Sequence, residues 1–442
     1  MAVPRVGLIF TILLGLFAAD LGAGNWPRWR GPSATGVSAE QGLPVRWSDT
    51  ENIAWKAPLR GLGISSPIVW NDLVVVTSQV GNGVVRPGPR LVQGGNPLEA
   101  GERPLGTGPT SIAGKVLFLV SAFDRPSGRP VWEFELPAEA PLPAVHEKHN
   151  LASPSPVTDG ERVYAWFATG QIAALDLAGK LLWTKHLGAE YGPFQIEWAH
   201  GSSPVVHGDL LILLCYHERA SYLLALDSRT GAVRWKADAA AGVTSYSTPL
   251  VVDAGGRTEI VVSSSIGVSG HDVSTGARLW HVEDANRFPI PTPLFHDGVI
   301  YTSRGYRSSP FMAIRPAGTG NVAASHVAWR VPSGAPYVSS LVLDDGLIYM
   351  VGDVGVLTVV DAGTGERVHQ ERVGGVYSAS PVAGDRKVYL VSEDGETIVV
   401  EAGRTPRILA RNRLDARQLA SPAIALGRLF IRSDAVLYAI GK

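Results

Sequence analysis

Histidine, carboxylate, arginine and aromatic residues gather in short segments that each precede a Ser-Pro, Thr-Pro or equivalent step. These are His146-Glu147-Lys148-His149-Asn150, Glu197-Trp198-Ala199-His200, Ser245-Tyr246, Asn286-Arg287-Phe288, Tyr337, Tyr377 and Arg417-Gln418. Three kinds of chemistry are open to such a set. His149 and His200 with Glu147 or Glu197 would give zinc three protein ligands and leave a fourth position for water, as a metal-dependent hydrolase or lyase requires. The spacing His146 to His149 is one residue short of the zincin pattern, and Pro141 and Pro143 disfavour the helix that pattern needs, so no metal ligands are assigned. Alternatively, aromatic faces beside Arg and His donors suit a small molecule or glycan. In the third reading the same side chains hydrogen-bond their own loops and fix their shape.

Other chemistries lack their residues. Serines abound, but no Gly-x-Ser-x-Gly elbow is followed by Asp and His in the order a hydrolase triad uses. Phosphate-loop and dinucleotide fingerprints are missing too. The single cysteine, Cys215, lies in the run Leu210-Leu-Ile-Leu-Leu-Cys-Tyr216, which reads as a buried thiol and rules out an intrachain disulfide. Lys and Arg number 39 against 40 Asp and Glu, so no net field favours nucleic acid. With 50 Gly, 31 Pro and 3 Met, the composition suits short strands and tight turns.

The elements that must position these segments form a repeat. Ser155-Pro156, Ser203-Pro204 and Thr248-Pro249 each lead through a β-branched or apolar run to a second apolar run ending in Asp, then a Gly turn and Trp. The step recurs at Pro67, Pro156, Pro204, Pro249, Pro293, Pro381 and Pro422, with Ser340-Leu341 filling the one gap, which makes eight copies. From Pro156 onward the copies are 40 to 48 residues apart, the period of a four-stranded propeller blade. The longer first interval contains a Gly/Pro-rich insertion at about 81–114, read as a loop over one face. The last copy is one strand short, and Asn52-Ile-Ala-Trp55-Lys-Ala resembles the outer strand Ala232-Val-Arg-Trp235-Lys-Ala. The expectation is an all-β chain: an eight-bladed β-propeller of four-stranded antiparallel blades, its ring closed by an N-terminal strand that completes the last blade and so hides both free edges. Proline places each step at the start of an innermost strand. Asp with Thr-Gly reads as a hairpin turn, and the Trp set, Trp235 and Trp280 included, as packing between blades. In this ring the segments before each step converge on the mouth of the central channel.

Leu226-Asp227-Ser-Arg-Thr230-Gly231-Ala-Val-Arg-Trp235 and Asp272-Val-Ser-Thr275-Gly276-Ala-Arg-Leu-Trp280 resemble the repeats of the pyrroloquinoline-quinone-like propellers, with variants at Asp124 to Trp132 and at Asp361 to Gly365. The resemblance spans about residues 25–442. It implies a choice between quinone-dependent dehydrogenases of alcohols or sugars, which hold pyrroloquinoline quinone and calcium on the axis, and non-catalytic relatives such as the outer-membrane assembly lipoprotein. The adjacent Cys-Cys pair and the haem-binding Cys-x-x-Cys-His of many such enzymes are not present with one cysteine, and no acidic cluster is evident for calcium.

Arg5, the apolar run Val6 to Ala19 and small residues through Gly24 read as a signal peptide over residues 1–23, too short to span a bilayer. Residues 24–442 are then the propeller. Asn25-Trp-Pro-Arg-Trp-Arg-Gly-Pro-Ser33 reads as an arm packed across it. The whole is an exported, monomeric, non-enzymatic binding or scaffold protein, periplasmic or extracellular. Its partner is an envelope protein, a polymer or a small molecule held at the mouth by His146, Glu147, His149, Asn150, Glu197, Trp198, His200, Tyr246, Arg287, Tyr337, Tyr377, Arg417 and Gln418. The dehydrogenase, with quinone near Trp198, His200 and Arg287, and the metal enzyme are the alternatives.

Overall fold

The computed structural model describes residues 24–81, 112, 114–146, 148–306 and 309–441. Eight antiparallel sheets, each with four antiparallel strands, follow one another around a ring. Blade 3 shows the plan: Val205–His207 innermost, then Leu210–Tyr216, Ser221–Asp227 and the outer Val233–Asp238. Its two middle strands are buried at every position, whereas the outer strand is half-buried or exposed throughout. That pattern follows from stacking, since a blade's middle strands are covered on both faces by its neighbours. Blades 2 and 3 accordingly share one core, in which Tyr164 and Trp166 meet Leu213 and Tyr222.

The last blade is built from both ends of the chain. Ile53–Pro58 pairs antiparallel with Val436–Ile440 and supplies the outer strand that Ala423–Ala425, Arg428–Arg432 and Val436–Ile440 lack. Arg432, fully buried, then bonds blade 8 to blade 1 by donating to the Thr77 carbonyl at 2.6 Å and to Ser78 Oγ at 2.8 Å. Two blades carry a fifth, parallel strand: Val37–Ser38 beside Val382–Gly384, and Gly320–Asn321 beside Arg278–Glu283. The signal segment and most of the Gly/Pro-rich insertion lie outside the described residues. The flanks of that insertion, Gly81 and Val116, pair at the ends of the second and third strands of blade 1.

The Ser/Thr-Pro step joins the blades. The residue before Pro is held extended, so its N–H and hydroxyl project sideways toward the neighbouring blades. Ser66 N donates to Ser155 Oγ at 2.9 Å, Ser155 N to Ser203 Oγ at 3.0 Å and Ser203 N to Thr248 Oγ1 at 3.0 Å. Thr292 N donates to Ser340 Oγ at 2.9 Å, Ser340 N to Ser380 Oγ at 2.9 Å and Ser380 N to Ser421 Oγ at 2.8 Å. A belt of hydroxyls thus lies around the axis in two hydrogen-bonded arcs, Ser66 to Thr248 and Thr292 to Ser421, and Ser340, the copy without proline, takes its place in it.

Farther out, the tryptophans dock on the next blade. Trp235 of blade 3 donates its indole N–H to the Val273 carbonyl in the hairpin of blade 4 at 3.1 Å. Gly276 in that hairpin, at φ +74°, lies so close that a Cβ there would fall 2.5 Å from the Trp235 ring. Trp55, Trp132, Trp183 and Trp329 repeat the contact with the carbonyls of Arg125, Leu177, Ser228 and Ala362. The hairpin Asp accepts as expected: Asp227 Oδ1 takes Thr230 N at 3.0 Å and Thr230 Oγ1 at 2.9 Å. Trp280 departs from the series. It is buried in the core shared by blades 4 and 5, but its N–H goes to Glu259 Oε2 of its own blade at 2.6 Å. The residue that follows Ile314 in blade 5 is Arg315, where the hairpins that receive the other indoles begin with Asp124, Asp176, Asp227, Asp272 or Asp361.

Candidate functional site

The segment Asn25 to Ser38 crosses the channel end opposite the loops that enter the innermost strands. Trp26 pairs with Val69 of blade 1, Pro27 O accepts Thr158 N of blade 2 at 2.9 Å, and Trp29 Nε1 donates to Thr292 Oγ1 of blade 5 at 2.9 Å. Arg30, 3% exposed, donates to the carbonyls of Thr35, Leu341 and Pro381. Burial pushes its pKa down to about 9, since carbonyl dipoles alone compensate its charge. The expected arm is therefore a plug. It turns the channel into a blind well of about 440 Å³, lined at depth by Trp29 and the hydroxyl belt.

Two unlike walls rise from that floor. On one side an arc of rings runs round the mouth: His146 to Trp198 at 5.0 Å between centroids, Trp198 to Phe288 at 6.4 Å, Phe288 to Tyr306 at 4.9 Å and Tyr306 to Tyr337 at 5.3 Å. Tyr246 packs edge-on to Phe288 at 6.2 Å, and its hydroxyl accepts Trp198 N at 3.3 Å. Arg287 lies over the Phe288 ring at 4.9 Å and donates to Glu197 Oε2 at 2.9 Å. The other wall is polar. Lys148 reaches past blades 1 and 8 to Glu393 of blade 7, Nζ to Oε1 at 2.7 Å, and Ser378 Oγ donates to the same oxygen at 2.6 Å. Asp353 and Tyr377 complete that side.

Eight of the expected residues line the well: His146, His149, Glu197, Trp198, Tyr246, Arg287, Tyr337 and Tyr377. Burial, and then Lys148, pushes the His146 pKa down to about 4; burial and then His146 push that of His149 down to about 3. Both are neutral near pH 7. Burial likewise raises the phenols of Tyr246, Tyr337 and Tyr377. The expectation for His200, Asn150 and Gln418 is corrected. His200 is fully buried behind the wall, its ring 4.3 Å from Trp166 and 5.5 Å from Phe194, so it does not join His149 in the well. Asn150 is buried and braces its loop, donating to Leu62 O at 2.9 Å and accepting Ala152 N at 3.0 Å. Gln418 is buried as well, and Arg417 stands 3.9 Å from the far oxygen of Glu393. Glu147 lies outside the described residues. Among the described residues no group of three or more His, Cys, Asp or Glu could hold a metal.

Sequence reasoning missed Asp353, Glu393, Tyr306 and the belt. Asp353 and Glu393 sit in the turns between the second and third strands, Gly352 to Gly355 and Ser392 to Gly395, which face the mouth together with the segments before each Pro step. Their matching position in successive copies of the repeat was the available signal. Burial holds the Asp353 pKa up to about 7, against the opposing pull of the Val338 N–H and then of Lys148.

These donors do not fit calcium-bound quinone. Glu393 already carries the Lys148 ammonium and the Ser378 hydroxyl, and Glu197 carries Arg287, so among the described residues no set of free carboxylates faces the axis to hold a divalent ion. Cys215 is buried within blade 3.

A family profile described as outer membrane protein assembly factor BamB matches residues 116–371. Among solved structures, BamB from Moraxella catarrhalis aligns with a TM-score of 0.53 at 16% identity, covering 83% of this chain and 98% of that one. The quinohemoprotein alcohol dehydrogenase from Comamonas testosteroni aligns with a TM-score of 0.63 at 12% identity, covering 95% and 81%. A computationally designed protein, Ika8, aligns at 0.56 and 11% identity over 87% and 98%. At such identities an assembly factor, an enzyme and a design share the fold alone. None of the curated proteins matches. The profile nevertheless covers more than half of the sequence, and the chain belongs to the PQQ-like propeller family described by BamB.

Proposed function

We propose that this chain is an exported, non-enzymatic binding propeller that holds a small polar ligand, or the tip of an envelope partner, in the blind well at its mouth. The observation that carries the reading is the plug: with the arm across the far end, the axis is a pocket of ligand size rather than a channel. The wall chemistry supports binding rather than turnover. Lys148 is tied to Glu393 and Arg287 to Glu197, the histidines are held neutral by burial, and the belt hydroxyls accept backbone N–H groups. Such groups orient a ligand through hydrogen bonds and ring contacts. The leader-like residues 1–23 and the outer-membrane role in the family description support export to the periplasm or beyond.

The test is calorimetric titration of the purified chain with pyrroloquinoline quinone, with and without calcium, beside saturation-transfer NMR against neutral and charged polyols and amines. The expected outcome is no calcium-dependent quinone binding, together with ligand signals that a Trp198→Leu change removes. Stoichiometric, calcium-dependent quinone binding would replace this reading with the dehydrogenase. The chain would then be assayed with alcohols and sugars.

A further inference from the structure

Two acids stand side by side on the polar wall, in matching turns of blades 6 and 7, and only one has a cation. Glu393 receives the Lys148 ammonium. Asp353 is 9% exposed and lines the cavity, yet its carboxylate is met by backbone donors, Val338 N to Oδ1 at 3.4 Å and Tyr337 N, and by no paired cation among the described residues. A buried carboxylate is ordinarily paired with a cation, and this one has no ion-pair partner among the described residues. The ring of Tyr337, the residue before that donor, begins the aromatic arc that continues to Tyr306 and Phe288. Ring faces attract cations, and the protein already lays Arg287 on this arc, 4.9 Å above Phe288. Of the other charges that line the well, Lys148 pairs with Glu393 and Arg287 with Glu197, while Arg417 stands behind Glu393, 3.9 Å from its far oxygen.

We propose that the well takes a ligand ending in a primary ammonium, which docks on the Asp353 carboxylate while the body of the ligand lies along the arc Tyr337, Tyr306 and Phe288. The proposal rests on the reading of the well as the binding site. It adds the chemical class of the ligand. Lys148 marks the geometry from the protein's own side: an ammonium on a flexible stem already enters the mouth and pairs with the neighbouring acid. The ammonium could belong to an amino sugar or to an aliphatic chain such as a lysine side chain. Because burial holds Asp353 partly protonated near neutrality, docking an ammonium there releases protons.

Titration of the purified chain with glucosamine, glucose, 1-aminopentane and 1-pentanol tests this, with heats measured at pH 7 in two buffers of different ionisation enthalpy. The amines are expected to bind at least tenfold more tightly than their neutral counterparts, with proton release. Asp353→Asn, shown by its melting curve to be folded, should remove that preference and the proton release, while Tyr306→Leu should weaken every probe that binds. Preference for glucosamine would identify the sugar source, and preference for aminopentane the aliphatic one. Equal binding of amines and neutral probes, or binding indifferent to Asp353→Asn, would overturn the ammonium assignment and leave the well as a site. Silence from all four probes would overturn both.

Discussion

At the residue scale, Asp353 couples the well to stability in a direction that its pKa fixes. The unfolded chain releases this proton near the ordinary value of 3.8, whereas the folded chain keeps it to about 7. The unfolded state therefore binds fewer protons across that window, and stability falls as pH rises from about 4 to about 7, then levels. With each pKa unit equal to roughly 1.4 kcal/mol, the loss is at most about 4 kcal/mol. Asp353→Asn removes the effect, so its unfolding free energy should match the wild type near pH 4 and exceed it by up to that amount at pH 8. Denaturant unfolding at both pH values measures the difference, and a difference that does not change with pH would contradict it. The sequence hid this residue for a geometric reason. Attention to the segments before each Pro step found Trp198, Tyr246 and Tyr337, because those segments do enter the mouth. The turns carrying Asp353 and Glu393 enter it as well, but each acid sits in a short turn closed by Gly355 or Gly395 and gains meaning only beside Lys148, 245 residues from Glu393. His200 failed for the opposite reason: it shares a loop with Trp198, yet its ring turns into the core between Trp166 and Phe194.

At the scale of the elements, the repeated step was legible and half of its mechanism was not. Proline was read as the start of an innermost strand, and the strands after Pro156, Pro204 and Pro249 begin one residue later, at Val157, Val205 and Leu250. The residue before it was left without a role, although its hydroxyl joins one blade to the next. Spacing of 40 to 48 residues reveals a period but not which atoms meet when copies stand in a ring. The belt makes a paired prediction. Ser203→Ala removes the acceptor of Ser155 N, a buried donor, and should cost about 1–3 kcal/mol. Ser66→Ala removes a hydroxyl of the same kind, in the same belt, that has no partner among the described residues, and should cost less than about 0.5 kcal/mol. Equal losses from the two changes, measured by chemical unfolding, would show that the belt bonds do not carry the difference.

At the scale of the whole molecule, the N-terminal region does two separable jobs, and the chain order shows where to divide them. Residues through Ser38 plug the channel and edge blade 7, whereas Ile53–Pro58 is the outer strand of blade 8. The sequence exposed the second job because Asn52-Ile-Ala-Trp55-Lys-Ala matched the repeat, and it foresaw an arm but not that the arm closes the axis. A chain beginning at residue 37 loses Trp26 from the core around blades 8 and 1 and the Arg30 bonds to blades 6 and 7, but it keeps the ring closed. It should melt at a lower temperature in one cooperative step, remain monodisperse, and bind the ligands of the well more weakly because Trp29 is gone from the floor. A chain beginning at residue 60 leaves Val436–Ile440 with an unpaired edge, and it loses Trp55, which docks on the hairpin of blade 1 at Arg125. Exposed edges pair with other chains, so this variant should associate in sedimentation velocity and lose its single sharp transition. If it sediments and melts like the shorter truncation, closure by the N-terminal strand is dispensable, and the inner contacts of blades 8 and 1, reinforced by Arg432 on Thr77 and Ser78, hold the ring alone.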